Sequence, residues 1–426
     1  MAWPAALRPG TSTDTRPHGA SHTEPARGQG DSGTAVADAV IAKDGVIEKN
    51  GSRRPTWRFL FNGLSRRRAG SRPESGRPAR TGDGYRITRT GYPMLLLALI
   101  ITLAAAILAG LCAGAAPIAP NQVWQSVCHH VTGLGPGATD LIDDHIVWTQ
   151  RAPRTLAAAL VGASLAAAGA LLQTLVRNPL AEPYILGASA GASVGAVAVV
   201  TLGAGSAYAA RLLPFAAFAG ALLALLLALL VGRRHGILAP GRLLLAGVAV
   251  GYLLQALTSY LQIRATPDQL AAVMFWLLGS LSGVHWQQLT IVTALAVAGL
   301  GWALARARTA NRLLLSDDAS ASLGVDVTRV RIELLVVAAL LTGAAVALAG
   351  SVGFVGLIVP HTLRLLIGSN HRLLLPAAIP AGAAFLTLVD AAGREMSNTE
   401  LPLGILTAFL GVPFLLWLVR REPERS

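Results

Sequence analysis

The sequence predicts an all-α polytopic membrane protein of ten transmembrane helices with an internal inverted repeat. Three observations lead there: 53% hydrophobic against 13% charged residues, long uncharged runs along the chain, and a spaced Gly and Pro pattern that occurs twice. A soluble chain of 426 residues covers itself with charge, whereas lipid-facing surface is built from Leu, Ala and Val. The net charge of +13 is unevenly placed. Residues 1–92 hold 16 Lys and Arg against 8 Asp and Glu; the remaining 334 hold 19 against 14. The basic residues of the body flank apolar spans instead of covering a folded surface, which argues against a nucleic-acid partner.

Residues 1–92 are rich in Gly, Ser, Pro and Arg and lack a sustained apolar period, so they read as a disordered, basic cytoplasmic tail. A cleavable leader is not expected, because the first apolar stretch begins near Met94 and is too long. Within the tail, Trp57-Arg58-Phe59-Leu60-Phe61 followed by Arg66-Arg67-Arg68 suits the surface of an anionic membrane; a solvated linker is the other reading. The helical body is expected over 93–421, and 422–426 as a cytoplasmic end.

A hydrocarbon core about 30 Å thick takes about 20 helical residues. Uncharged runs lie at 93–139, 155–176, 183–210, 212–232, 243–263, 269–305, 334–363, 373–389 and 401–419. The first holds one span near 94–113 and then a loop with Pro and Gly. Arginine placement sets direction. With the tail inside, the first crossing puts Asp140, Asp143 and Asp144 outside. The chain returns at Arg177, is out before Arg211, in at Arg233, Arg234 and Arg242, and out by Arg264. Run 269–305 is too long for one span, so its first part lies at the outer surface and its second crosses to Arg306, Arg308 and Arg312. Run 334–363 is bracketed by Arg329, Arg331, Arg364 and Arg372, all of which favour the cytoplasm. The chain therefore leaves and returns there through two short helices joined at Gly350-Ser351-Val352-Gly353. Spans at 373–392 and 401–419 end on Arg420-Arg421, leaving both termini inside.

The repeat is explicit. Gly162-Ala-Ser-Leu-Ala-Ala-Ala-Gly169 is echoed by Gly343-Ala-Ala-Val-Ala-Leu-Ala-Gly350. Pro179 and Pro360, then Gly187 and Gly368, follow at the same spacing, with an offset of 181 throughout. Five crossings between the copies give them opposite senses, as in transporters with inverted repeats. Small residues recurring for close helix packing are the alternative.

Enzymatic signatures are missing. The sequence has no GxxxxGK[ST] loop, so ATP hydrolysis is not expected in this chain, and no HExxH or CxxC motif. No cofactor is implied. Cys112 and Cys128 form no disulfide framework, and Cys128-His129-His130 lacks a nearby fourth ligand, so it reads as an outer loop and not a metal site. The ionisable groups Glu182, His361 and Asp390 lie at or near span ends. A proton-coupled carrier or pump uses mid-span charges, each costing about 2.5–3.5 kcal/mol to insert; their scarcity places the energy source in a partner.

Arg151-Ala-Pro-Arg154-Thr, the Gly162–Gly169 run, Gln173, Arg177-Asn-Pro-Leu-Ala181, Pro183 and Leu186-Gly187 resemble the opening signature of the FecCD family. Gly353-Phe-Val-Gly-Leu-Ile-Val-Pro-His361, Arg364, His371-Arg372, Asp390, Arg394 and Glu400-Leu-Pro-Leu-Gly404 resemble its closing one. The resemblance covers roughly 93–421 and leaves the tail outside. It implies a vitamin-B12-permease-like fold with ten helices per subunit and two subunits per transporter. The cargo it implies is a ferric siderophore by default, with haem or cobalamin next. The implied partners are ATP-binding cassette ATPase subunits, a second permease subunit (identical or related), an extracytoplasmic substrate-binding protein and the lipid bilayer of the inner, cytoplasmic membrane.

The resemblance also assigns roles. Arg151, Arg154 and Arg394 face outward to meet acidic residues of the binding protein, a task suited to bidentate guanidinium forks; interfacial snorkelling is the other reading for Arg151 and Arg154. Loop 311–330, with Asp317, Asp318, Leu323, Gly324 and Val325, resembles the ATPase-coupling segment. Ser316 or Asp317 is its expected helix cap and Gly324 its expected break. Gly169, Asn178, Pro179, Gly187, Gly191, Pro360 and His361 mark the translocation pathway, although Gly187, Gly191 and Gly195 at i, i+4 and i+8 also fit plain helix packing. A secondary carrier working alone, or a membrane anchor whose tail is functional, are readings of other classes.

Overall fold

The computed structural model describes residues 91–133, 140–203, 207–235, 237–396 and 401–421. The tail with its aromatic–basic segment, Glu400 and residues 422–426 lie outside them. Helix α1 (Gly91–Cys112) is apolar on all sides and turns Leu97, Ile100, Ile101 and Leu108 outward. The stretch expected to be a loop next holds a helix instead, α2 (Pro120–Thr132). Pro120 opens it, Gln122 Oε1 accepts from Ala119 N at 3.1 Å, and Gly133 ends it in the left-handed region. Its Gln and His residues break the apolar run that marks a span, and its helical pattern is too short to stand out in the sequence.

Helix α3 (Leu141–His145), a π turn (Ile146–Arg151) and α4 (Ala152–Val176) run on as one stretch of 36 residues. The π turn comes just before Pro153, whose ring and missing N–H disturb the turn that precedes it. At about 54 Å this stretch exceeds an about 30 Å hydrocarbon core, so its first turns project beyond the lipid. A 3₁₀ turn (Pro183–Leu186) leads into α5 (Ala188–Leu202), then α6 (Ala207–Gly232). A two-residue hairpin, β1 (Arg233–Arg234) with β2 (Ile237–Leu238), turns the chain into α7 (Pro240–Ile263).

Run 269–305 divides as expected, into α8 (Pro267–Leu278) and α9 (Trp286–Ala305). The short helices α10 (Ala307–Arg312) and α11 (Asp317–Ser322) follow. Run 334–363 also divides where expected, into α12 (Val327–Ala349) and α13 (Val355–Ile367), but only α13 is short; α12 extends back past Arg331 to 23 residues. Helices α14 (His371–Met396) and α15 (Leu403–Arg421) complete the chain. Among the described residues, seven helical stretches are long and apolar enough to cross a membrane, and α5, α8, α13 and α15 are shorter apolar helices. Ten crossings therefore require three of those four to span, and helix length alone does not give that count.

Helix α4 is the axis of the packing. In its apolar window 83% of residues are buried, against 11% in α1, which borders lipid. Two glycine contacts let backbones approach it. A Cβ on Gly169 would lie 2.7 Å from the Gly356 Cα of α13, and one on Gly162 would lie 2.8 Å from the Gly382 carbonyl carbon of α14. The repeated spacing does not mark equivalent backbone positions. Gly169 is inside α4 whereas Gly350 ends α12; Pro179 is in a loop and Pro360 inside α13; Gly187 opens α5 while Gly368 closes α13. The same residue types serve close packing in one copy and helix ends in the other.

Candidate functional site

Arg151, Arg154 and Arg394 line one cleft of about 580 Å³, together with Gln150, Ser282 and His285. Arg151 sits in the last turn before α4 and is only 5% exposed. Its guanidinium donates to the carbonyls of Leu111 (3.2 Å), Cys112 (2.7 Å) and Ala116 (2.6 Å), so the chain leaving α1 wraps around it. Gly114 makes this possible: its φ is +144°, a Cβ there would crowd the guanidinium, and its N–H donates to the Glu395 carboxylate at 2.8 Å.

The other two arginines share a carboxylate. Arg154, one turn into α4, donates from Nε to Asp390 Oδ1 at 3.0 Å and pairs with it through Nη2 at 3.0 Å. Arg394, one turn beyond Asp390 on α14, approaches Oδ2 through Nη2 at 3.1 Å and donates to Ala113 O at 3.0 Å. The Asp390 side chain is fully buried, and those of Arg154 and Arg394 are 13% and 11% exposed. Three guanidinium groups thus face two carboxylates, Asp390 and Glu395, which leaves the cleft a positive excess. Replacing Arg151 with Ala should destabilise the chain by about 2–3 kcal/mol, since three part-buried carbonyls lose their donor at about 1 kcal/mol each. Thermal unfolding in detergent checks this.

Above the cleft, α2 turns its polar groups toward α3. Ser126 donates to Asp144 at 2.6 Å, His130 Nε2 lies 2.9 Å from the same carboxyl, and Gln122 donates to Asp143 at 3.3 Å. The Ser126 hydrogen bond first, then that of His130, holds the Asp144 carboxyl below its usual range. The His130 ring stacks on Trp148 at 4.4 Å. Of Cys128-His129-His130, His130 is thereby engaged, and among the described residues no cluster of three metal-ligating side chains forms.

At the other end of α4 lies loop 311–330. Ser316 caps α11 by accepting from Ala319 N at 3.3 Å, and Gly324 breaks the chain after it at φ +74°. Asp318 and Leu323 are exposed, while Val325 is buried. Asp317 accepts from Arg177 at 2.6 Å and from Arg331 at 2.8 and 3.1 Å. Asn311 Oδ1 accepts from His371 N at 2.7 Å, and the His371 ring lies 2.9 Å from the Thr174 hydroxyl of α4.

The residues named for the pathway are dispersed. Gly169 meets Gly356, and Gly191 packs against Gly220 and Ala224 of α6. Asn178 folds the loop by accepting from Leu180 N at 2.9 Å, with Pro179 between them. Gly187 caps α5 with φ +84°. Pro360 and His361 are buried within α13, where the His361 ring centroid is 6.2 Å from that of Phe414.

Sequence reasoning missed the pairings. It named Asp390 without its two arginines, and did not connect Arg177, Arg331 and Asp317; the i, i+4 spacing of Asp390 and Arg394 was the one local signal. Glu182, named above only as a group near a span end, accepts from Phe354 N at 3.1 Å and steadies a non-Gly residue at φ +67° where α13 begins, a contact with no local signal in the sequence.

The chain matches the model of the FecCD transport family over residues 100–421. It is 45% identical over 281 residues to the cobalamin import system permease of Halobacterium salinarum, covering 66% of this chain and 75% of that protein. To the vitamin B12 import system permease of Salmonella paratyphi A it is 41% identical over 330 residues, 77% of this chain and 95% of the other. Among solved structures it resembles a metal-chelate type ABC transporter in an inward-facing conformation. The TM-score there is 0.66 with 31% identity, covering 78% of this chain and all of that one.

Proposed function

We propose, from the premise that the chain belongs to the FecCD transport family, that this permease subunit of an ABC importer carries a cobalt or iron chelate into the cell, with a corrinoid as the first cargo to test. Cobalamin is put forward because both curated relatives described above are named for it; a ferric siderophore is the second reading, supported by the metal-chelate transporter that shares the fold. The chain is a multi-pass membrane protein. Its spans cross the cytoplasmic membrane ten times with both termini inside, and two such subunits enclose the path between them.

The observation that carries this reading is that α4 joins a guanidinium-lined cleft at one end to a capped short helix in a polar loop at the other. The cleft end receives the substrate-binding protein. Arg154 and Arg394, which share the one Asp390 carboxylate and keep side chains 13% and 11% exposed, carry that docking; the Arg151 guanidinium is enclosed by three carbonyls. The α11 end, with Asp318 and Leu323 exposed, seats the ATPase subunit. Asn178-Pro179, Gly187 and Pro360-His361 lie along the path as the places where helices begin, break or carry Pro; Gly169 and Gly191 hold the helices that border it. Large chelates pass without a tight site, and selectivity rests with the binding protein.

The test is uptake into proteoliposomes containing the permease, its ATPase and its binding protein, with cyanocobalamin and a ferric siderophore as probes. One probe should accumulate only with ATP. Arg394→Lys, which keeps the charge and loses the fork, should weaken the dependence on binding-protein concentration about tenfold, equivalent to about 1.4 kcal/mol. Accumulation without ATPase would instead identify a secondary carrier. ATP hydrolysis with no uptake of either probe would sink both cargo readings.

A further inference from the structure

We propose that Asp317 is the mechanical joint between the ATPase-facing loop and the two long helices α4 and α12, so that a displacement of α11 is handed to both at once. This rests on reading loop 311–330 as the coupling segment.

The geometry is that of a clip. Asp317 occupies the first turn of α11, and its carboxylate reaches two guanidinium groups that belong to different helices. Arg177 is the residue that ends α4; it stands at φ +55°, which aims its side chain at the loop, and it also donates to Leu315 O at 2.7 Å. Arg331 lies in the first turns of α12 and is 3% exposed. Its Nη1 donates to Leu238 O of β2 at 2.9 Å, so the hairpin between α6 and α7 is tied to the same point. One carboxylate thus gathers the end of α4, the start of α12 and, through Arg331, a second loop on that side.

The two bonds differ in kind. The Arg177 pair is open to water, with side chains 40% and 47% exposed, and an exposed pair is weak and easily remade. Arg331 is 3% exposed, and the Asp317 carboxylate is its counter-charge, so breaking that bond leaves a buried guanidinium without its counter-charge. The firm half of the clip is on α12 and the adjustable half is on α4. A coupling helix fixed in this way cannot slide along its loop without pulling on two of the most deeply buried helices of the core. A loop held only by backbone turns would absorb the same push.

The experiment uses the permease copurified with its ATPase subunits in lipid nanodiscs. Spin labels at Ser322→Cys on α11 and Val336→Cys on α12, both exposed, report the separation of the two helices by pulsed EPR with and without ATP. In the parent the distance distribution should stay unchanged by nucleotide, because α11 and α12 move as one body. In Asp317→Asn, which keeps the shape and removes the charge, the distribution should broaden or shift on adding ATP. In proteoliposomes the same variant should hydrolyse ATP within about twofold of the parent while the cyanocobalamin or ferric siderophore taken up per ATP falls about tenfold.

Identical distributions in parent and variant would overturn the joint. So would hydrolysis and uptake falling in proportion, the mark of a merely structural residue. Failure of the unmutated chain to copurify with an ATPase would overturn the coupling reading itself, a different result. Arg177→Lys separates the two halves of the clip: it keeps the charge but loses the fork, and should lower uptake per ATP by a smaller factor than Asp317→Asn.

Discussion

Replacing Asp390 with Asn should leave two neighbouring guanidinium groups, on Arg154 and Arg394, without their shared charge and destabilise the permease by about 3–5 kcal/mol. The size follows from burial. The carboxylate is fully enclosed and the arginine side chains are 13% and 11% exposed, so each positive charge recovers only part of its hydration from the cleft. The loss should appear as a lower unfolding temperature in detergent and less folded protein in the membrane. Removing one of the two arginines as well, as in Asp390→Asn with Arg394→Met, should recover part of the stability, because one uncompensated charge is taken away with the carboxylate. If the double variant is no more stable than the single one, the loss does not come from unpaired charge. Replacing the whole triad with apolar residues of similar volume should be close to neutral for folding and still abolish docking, which separates what the triad does for the fold from what it does for the partner.

Gly169→Val should be the second severe substitution. Its Cβ would fall on the backbone of Gly356, with the nearest Cα at 2.7 Å, and no side chain is there to swing away. Overpacking of a tight core costs about 1–3 kcal/mol and more when backbone has to move, so the upper end or beyond is expected. Helices α4 and α13 would have to separate, and with them the bonds by which Gln173 Nε2 holds Gly356 O at 3.3 Å and Arg364 holds Gln173 Oε1 at 3.2 Å. Uptake should fall below a tenth of the parent even in protein that still reaches the membrane. Gly301→Val, where a Cβ would meet open space, serves as the control and should leave uptake intact. Equal tolerance of both substitutions would mean that α4 and α13 do not keep this contact during transport.

Much of the architecture was legible because it depends on local chemistry. Hydrophobic runs of the right length announce helices in lipid whatever their neighbours, and the division of 269–305 and 334–363 followed from length and flanking arginines. The cap at Ser316 and the break at Gly324 were readable because a short side-chain oxygen and a residue free to take positive φ act on their own backbone. The motifs around Arg151 and Pro360 led to the right family for the same reason: they are contiguous. Helix α2 was lost because an amphipathic segment of 13 residues carrying Gln and His looks like a loop when apolar runs are the signal sought.

The rest lay in contacts that no run of sequence contains. Arg154 meets Asp390 across 236 residues and Arg177 meets Asp317 across 140, and nothing near any of the four names the other. The repeated Gly and Pro spacing suggested matching halves, yet only packing decides whether a glycine serves a helix crossing or a helix end. The fate of Arg151 turned on the path of the chain after α1, which wraps its guanidinium in carbonyls. By itself the sequence determined what the chain is made of: apolar helices, their caps and their family. Which charges pair, which glycines touch and which arginine is wrapped in carbonyls were decided by the tertiary structure, because a buried charge takes its counter-charge from whichever helix the packing brings beside it.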